Sequence, residues 1–513
     1  MTNSPKTRSP LFSATKRSFL AGAAAGTFAS VLPTWRKAEA ADKYDLIVIG
    51  AGTAGMPAVI FAAERGAKIL VVEKAPVLGG TLDRSTGQIS GSRTVFQKAA
   101  GIEDSPDAHY ADNMRINHDT ADPVLTRLFV DNAGDTINWL AANGFTVRDG
   151  HPVMGGGHED FTVRRYQWGP EGGKTIFKVM EPLFQKAVGK GKVTVLMNTG
   201  AIDLIQDKSG AVTGVVTQND EGVRQDHMGR NVLLTAGGCA ANPRMFRDLN
   251  GVDLTCEIAY PYSQGQGILL GEGAGGYVRG GDKYATLFGT VLTDYNFPSP
   301  QYGGLQLRPE RRPPWEIYVN VHGRRFVQED HPSVDFREHA LLKQPGQRMW
   351  VIADQTMMDK APDLMFRKSK DEVMAEFNAH PMFHKAETLD ELAVKAGFNP
   401  AGLSDTAAAF NRAIDEGAPD PMGRQHRPVK LANGPYYAIG LVGWTVIGFA
   451  GLAVDGMLRV IRSNGTPVPN LYAAGEVIGA AATSGGAYTN GAMVTPALTF
   501  GRLLGQKMLK FKA

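Results

Sequence analysis

Cysteine is nearly absent: Cys239 and Cys256 are the only two among 513 residues. That excludes a disulfide scaffold, a Cys-rich zinc site and a Cys-x-x-Cys-His haem attachment. No apolar stretch reaches the roughly 18 residues needed to span a bilayer. No collagen-like period, heptad run or long low-complexity tract occurs, so fibrous and largely disordered readings fall away. An excess of one charge is lacking too, with Lys+Arg 54 against Asp+Glu 51, net +3. The first 40 residues hold six basic residues and one acid, so the rest carries 48 basic and 50 acidic residues, net −2. The slight basic balance belongs to the N-terminus, and a nucleic-acid partner has no electrostatic footing. What is present is a 43% hydrophobic chain, long enough for two or more cores.

The N-terminus reads as an export signal. Thr15-Lys16-Arg17-Ser18-Phe19-Leu20 precedes a short apolar run to about Leu32, and Ala38-Glu39-Ala40 has the small-x-small form of a cleavage site. The Lys-Arg-x-Phe-Leu core resembles a twin-arginine signal, with Lys16 in the first arginine's place. The expectation is export of a folded, cofactor-loaded protein by the twin-arginine machinery into the periplasm. A disordered tail with chance basic residues and an uncleaved membrane anchor are the alternatives.

Past the leader, Tyr44–Ile49 is an apolar, β-branched run expected to be a buried strand. It leads into Gly50-Ala51-Gly52-Thr53-Ala54-Gly55, a predicted helix over Ala54–Arg65 and a second strand over Lys68–Val72, ending at Glu73. The spacing has a mechanical reason. One glycine makes the turn, the next lets a pyrophosphate approach the backbone, and the third lets helix and strand pack closely. The free N–H groups at the helix start favour phosphate, and an acid at the tip of the second strand can accept from ribose hydroxyls. Gly79-Gly80-Thr81 and Ser85-Thr86-Gly87 follow as a small-residue loop that permits close approach to a flat ligand.

Further strands are predicted at Val193–Leu196, Ala201–Gln206, Ala211–Thr217, Asn231–Thr235 and Asn470–Ala474. Glycines follow strand ends at three distant places, as expected where strand ends line one crevice of an open sheet. From about Leu287 to Leu431 prolines crowd the chain. Helices are predicted there at Asp371–Asn378, Leu389–Ala396 and Ser404–Glu416, which reads as an inserted second domain.

These motifs together resemble the FAD-dependent superfamily of fumarate reductase and succinate dehydrogenase flavoproteins. Its marks are Gly50–Gly55 with Glu73, Gly79-Gly80-Thr81, Thr235-Ala236-Gly237-Gly238, Gly323-Arg324-Arg325-Phe326-Val327, Gly451-Leu452-Ala453-Val454-Asp455 and Leu471-Tyr472-Ala473-Ala474-Gly475-Glu476. The resemblance implies an α/β fold: a Rossmann-like FAD-binding domain, split in sequence, with an inserted α+β capping domain. The expected boundaries are residues 1–40 for the export signal, 42–287 and 436–513 for the two parts of the FAD domain, and 288–435 for the cap. It assigns FAD contacts to Gly50, Gly52, Ala54, Gly55, Glu73, Lys74, Gly80, Thr81, Thr86, Gly87, Ala201, Gly237, Gly475, Glu476, Ala492 and Thr495. It implies hydride transfer between a substrate carbon and flavin N5, next to a carbonyl or carboxylate, with a quinone or cytochrome as electron carrier.

The branch is set by departures. The catalytic arginine of fumarate reductases falls on Ser333, their histidine is replaced within Thr445-Val446-Ile447-Gly448, and their C-terminal arginine is missing from Gly485-Gly486-Ala487-Tyr488-Thr489-Asn490-Gly491. The segment from Ala487 to Gly501 is similar instead to 3-ketosteroid and cyclic-ketone dehydrogenases. There a tyrosine hydroxyl and a glycine N–H grip the substrate carbonyl, roles that fall on Tyr488 and Gly491. That branch has a tyrosine base where this chain has Ser333, so the base is open. His331 is the nearest titratable candidate, and Tyr318, on the strand before the motif, is another.

Dehydrogenation of a cyclic ketone to an enone is the leading expectation, with reduction of unsaturated carboxylates such as fumarate or urocanate as the alternative. A nicotinamide dehydrogenase and a catalytically dead binding protein are the remaining readings. Arg165 and Tyr166 are candidates for closing the substrate cavity. His151 and His158 flank Gly155-Gly156-Gly157 but lack the acid or cysteine partners of a metal site. Cys239 is expected to be a buried small hydrophobe, a bridge to Cys256 being the alternative.

Overall fold

The computed structural model describes residues 35–36 and 43–511. Apart from the two-residue strand Trp35–Arg36, the expected export signal lies outside the described residues. Among the described residues no helix is long and apolar enough to cross a membrane.

Two sheets organise the chain. In the first, the strands Tyr44–Ile49, Ile69–Val72, Val193–Leu196, Arg224–Leu234 and Pro467–Ala473 run parallel. In space the order is Pro467–Ala473, Arg224–Leu234, Tyr44–Ile49, Ile69–Val72, Val193–Leu196. Ile69–Val72 is apolar and buried at every position, as a strand covered on both faces must be. The helix Gly55–Glu64 makes the first crossover, with Pro57 tolerated in its first turn. The helices Gly173–Ala187 and Val494–Leu503 pack against it. In register, Val72, Ile49, Leu234 and Ala473 stand side by side at the carboxyl ends of adjacent strands. The loops that leave these four ends therefore meet in one crevice.

The strand expected at Asn231–Thr235 begins much earlier, at Arg224. Its first half pairs antiparallel with Val212–Asn219 before its second half enters the parallel sheet. The helix expected from Ser404 begins at Pro400, because the side chain of Asn399 accepts the Gly402 N–H and proline fits the first turn.

The second sheet contains Leu287–Leu292, Gln301–Gly303, Ile317–Val319, Arg348–Asp354, Phe383–Ala386 and Tyr436–Trp444. Tyr436–Trp444 pairs with Leu287–Leu292, Arg348–Asp354 and Phe383–Ala386. It thus lies inside the second sheet, nine residues beyond the boundary expected at 435. The physical reason is its composition: the run is buried on both faces and needs partners on both edges. The helices Val334–Leu342, Lys370–Glu376, Leu389–Ala396 and Pro400–Asp415 surround this sheet, and its apolar residues form cores separate from that of the first sheet.

Candidate active site

A cavity of about 1540 Å³ runs from the carboxyl ends of the parallel strands to the second sheet. At one end it is shaped for a dinucleotide. Gly50 has φ +100°, and a Cβ there would lie 2.6 Å from the Thr235 carbonyl oxygen. A Cβ on Gly55 would lie 2.0 Å from the Gly50 oxygen. At Gly52 the nearest atom to a Cβ is the Gly80 Cα at 3.7 Å, so the space beside Gly52 is open to the cavity. Thr235 fixes the turn by donating from Oγ1 to the Gly50 oxygen at 2.6 Å. No side chain caps the helix that starts after Ala54, so its positive dipole end faces the cavity uncompensated and suits an anionic ligand.

Glu73 stands at the tip of its strand. Its carboxylate accepts from Ala51 N–H at 2.7 Å and Ala75 N–H at 2.8 Å. Burial raises its pKa while these N–H groups oppose the rise. Lys74 pairs with Asp220 at the cavity rim. Gly80, Thr81, Thr86, Ala201, Gly237, Gly475 and Glu476 also line the cavity. Glu476 accepts from Gly448 N–H at 3.0 Å, and burial lifts its pKa to about 7. The helix Val494–Leu503 begins at the cavity wall, again without a side-chain cap. The residues thus fit FAD: an open glycine cradle, an acid at the strand tip in the cavity wall and two uncapped helix starts.

Four expected cofactor residues do not line the cavity. Gly87 packs on Gly172, where a Cβ would come within 2.4 Å of the backbone. Ala492 is fully buried, and the Thr495 hydroxyl accepts from Ser90 N–H at 2.9 Å. Gly55 likewise serves helix packing rather than the cavity wall.

The other end of the cavity brings together residues distant in sequence. Tyr488 is buried, and its hydroxyl lies 2.7 Å from Thr445 Oγ1. Its ring stacks on His158, with centroids 5.2 Å apart and planes 14° apart. Burial holds the Tyr488 phenol protonated, well above its ordinary pKa. Gly491 lines the cavity with φ +75°, and a Cβ there would strike Ser90. From the second lobe come Arg308, Arg337 and Glu338, with Phe288, Leu307 and Phe366 as apolar wall. His158 Nδ1 is 3.8 Å from a Glu338 carboxyl oxygen. Burial, with the nearby Arg308 charge, lowers the His158 pKa to about 4. Burial also raises the Glu338 pKa well above the usual carboxylate range. The imidazole and the carboxyl thus share one buried pocket in the cavity wall.

His331, Ser333 and Tyr318 are not brought to this end. His331 stacks on Phe336, ring centroids 4.1 Å apart, and its Nδ1 accepts from Ser333 N–H. Ser333 caps the helix Val334–Leu342 and bonds Glu159. Tyr318 is 1% exposed inside the core of the second sheet. Arg165 is engaged by Asp104 and Asp112, whereas Tyr166 does line the cavity. Cys239 and Cys256 are both buried free thiols.

Sequence reading passed over Arg308, Arg337 and Glu338 and considered His158 only for metal. The signal was present in the helix pattern: Val334, Arg337, Glu338 and Leu341 recur at one-face spacing, so a charged pair sits on an inward face.

Residues 45–493 match the family described as FAD binding domain. The chain is 28% identical over 475 residues to a fumarate reductase (cytochrome) of Shewanella frigidimarina, covering 92% of this chain and 78% of that protein. It is 26% identical over 564 residues to a 4-oxocyclohex-2-ene-1-carboxylate 5-dehydrogenase of Sinomonas cyclohexanicum, covering 91% and 94%. Its fold matches a 3-ketosteroid delta1-dehydrogenase of Sterolibacterium denitrificans with a TM-score of 0.69 at 20% identity, over 91% of this chain and 99% of that one.

Proposed function

Since the chain belongs to the FAD binding domain family and is an FAD-dependent oxidoreductase, we propose that it acts on a carbon–carbon bond next to a substrate carbonyl, converting a saturated ketone to an enone. The observation that carries this reading is the position of Tyr488: a buried, protonated phenol in the wall of the cavity, held by Thr445 and backed by His158. Bound FAD supplies the two-electron chemistry. The Tyr488 hydroxyl and the Gly491 N–H donate to the carbonyl oxygen, which lowers the pKa of the neighbouring C–H and stabilises the enolate as it forms. Thr445 orients the phenol by donating from Oγ1 to its oxygen, which leaves the phenol proton for the carbonyl. Glu338 replaces His331 as the group that moves the substrate proton, because it lines the cavity and His331 does not. The apolar wall of Phe288, Leu307 and Phe366 excludes water from the developing charge.

A second reading runs the same geometry in reverse, reducing an unsaturated acid. It is favoured by the fumarate reductase relative. In either direction the enzyme works in the periplasm after twin-arginine export, and exchanges electrons with a quinone or cytochrome. The leader residues Lys16, Arg17 and Ala38-Glu39-Ala40 support that localisation. The test is a screen of holoenzyme against ketones, enones and unsaturated acids. Bleaching of the flavin by a saturated ketone, with enone formed, supports the first reading. Reoxidation of reduced flavin by enoates alone, with ketones inert, replaces it with the second.

A further inference from the structure

Two guanidinium groups face the substrate end of the cavity without a counter-charge. Arg337 is 1% exposed and points from the inner face of the helix Val334–Leu342. Its Nη1 donates to the Leu307 carbonyl at 2.6 Å, and its carbon sits 5.2 Å from the centre of the Phe288 ring. Its Nε and Nη2 are buried and have no hydrogen-bond partner. Arg308 arrives from the loop before Ile317–Val319 and donates from Nη2 to the Gly156 carbonyl at 3.1 Å. A Cβ on Gly157 would lie 2.0 Å from that nitrogen, so the glycine run keeps room for the guanidinium. Among the described residues no carboxylate oxygen lies within the 4.0 Å of an ion pair to either group.

Other buried arginines of this chain are treated differently. Arg165 meets Asp104 and Asp112, Arg312 meets Glu316, and Arg424 approaches Glu329. Arg502 has Nε, Nη1 and Nη2 all bonded. Among the arginines of the described residues, only Arg337 has two buried nitrogens without a partner, and Arg337 lines the cavity. None of the neighbouring acids forms an ion pair with it: Glu338 lies beside His158, Asp335 is bound by His118 and His339, and Glu310 is exposed. A desolvated cation is costly unless an anion reaches it.

We propose that Arg308 and Arg337 form an anion subsite that takes a carboxylate carried by the substrate, which is therefore an oxo-acid with its carbonyl at Tyr488 and its carboxylate in the second lobe. A carboxylate suits the place because its two oxygens match the paired N–H groups of a guanidinium. The inference rests on the carbonyl reading of the Tyr488 end and adds the second functional group of the substrate.

The experiment uses FAD-loaded enzyme and two probes of equal shape, 4-oxocyclohexane-1-carboxylate and its uncharged carboxamide. Binding is read from the perturbation of the flavin absorption spectrum, independently of turnover. The carboxylate should bind at least about tenfold more tightly than the amide. Arg337→Gln should remove most of that preference and leave the affinity for the amide within about twofold, while Arg337→Lys should restore part of it. Arg308→Gln, at a less buried position, should act in the same direction. Equal affinity of the two probes for the unaltered enzyme overturns the subsite with no variant needed. So does an Arg337→Gln enzyme that loses both probes equally. If both probes bleach or perturb the flavin equally, the subsite falls and the carbonyl reading stands. If neither perturbs it, both fall.

Discussion

The imidazole of His158 lies nearly parallel to the phenol of Tyr488, ring planes 14° apart, while its Nδ1 stands 3.8 Å from the Glu338 carboxyl. Three segments distant in sequence meet through this one ring: a glycine-rich loop, the C-terminal segment and a helix of the second lobe. The stack holds the ring of Tyr488 in place, and burial lowers the His158 pKa while raising those of Glu338 and Tyr488.

Removing the phenol hydroxyl tests the carbonyl grip. Tyr488→Phe keeps the ring and its stack but loses the donor, so turnover should fall by at least about tenfold with the flavin still bound. Steady-state rates with a matching flavin spectrum check it. Unchanged turnover removes Tyr488 from the mechanism.

The proton function is tested at Glu338. Glu338→Gln keeps the shape and removes the exchangeable carboxyl proton, and should lower turnover by about a hundredfold or more. The solvent isotope exchange of the substrate's α-hydrogen should fall in parallel. A variant that retains full exchange would return the base to an unassigned group.

The cofactor cradle is tested by filling it. Gly52→Val places carbon where the cavity is open, so the protein should fold with unchanged thermal stability as apoprotein but purify without FAD. Glu73→Ala should weaken retention of FAD, because the carboxylate at the strand tip is lost. Either variant purifying fully loaded contradicts its assignment.

His158 has its pKa lowered from 6.5 to about 4, so the folded state binds its proton less readily than the unfolded chain. Its stabilising effect is complete above pH 6.5 and is lost as pH falls towards 4, by at most about 3 kcal/mol. His158→Gln should be less stable at pH 7 yet lose less between pH 6.5 and 4. Chemical denaturation at stepped pH measures this, and parallel curves for the two proteins would contradict it.

The dinucleotide half of the molecule was legible because its local patterns are strict. A fully apolar strand, glycines at fixed offsets and an acid at the next strand tip admit few structures, and Tyr44–Ile49 and Val193–Leu196 fall where expected. The long helix Pro123–Ala142 was not anticipated, although Asp122 and Pro123 form a ready start signal. The boundary expected at 435 left Tyr436–Trp444 outside the second sheet, since strand partners lie far away in sequence. At the substrate end, alignment pointed to Ser333, but a helix start turns that residue away from the cavity. The charges that face it come one helical turn later, at Arg337 and Glu338, where only periodicity could have found them.

The most direct measurement is the absorption spectrum of the purified, processed protein, followed during anaerobic titration with a saturated oxo-compound. The account predicts a yellow protein with an oxidised flavin spectrum that bleaches as the unsaturated product appears. A colourless protein that also fails to take up added FAD would contradict it.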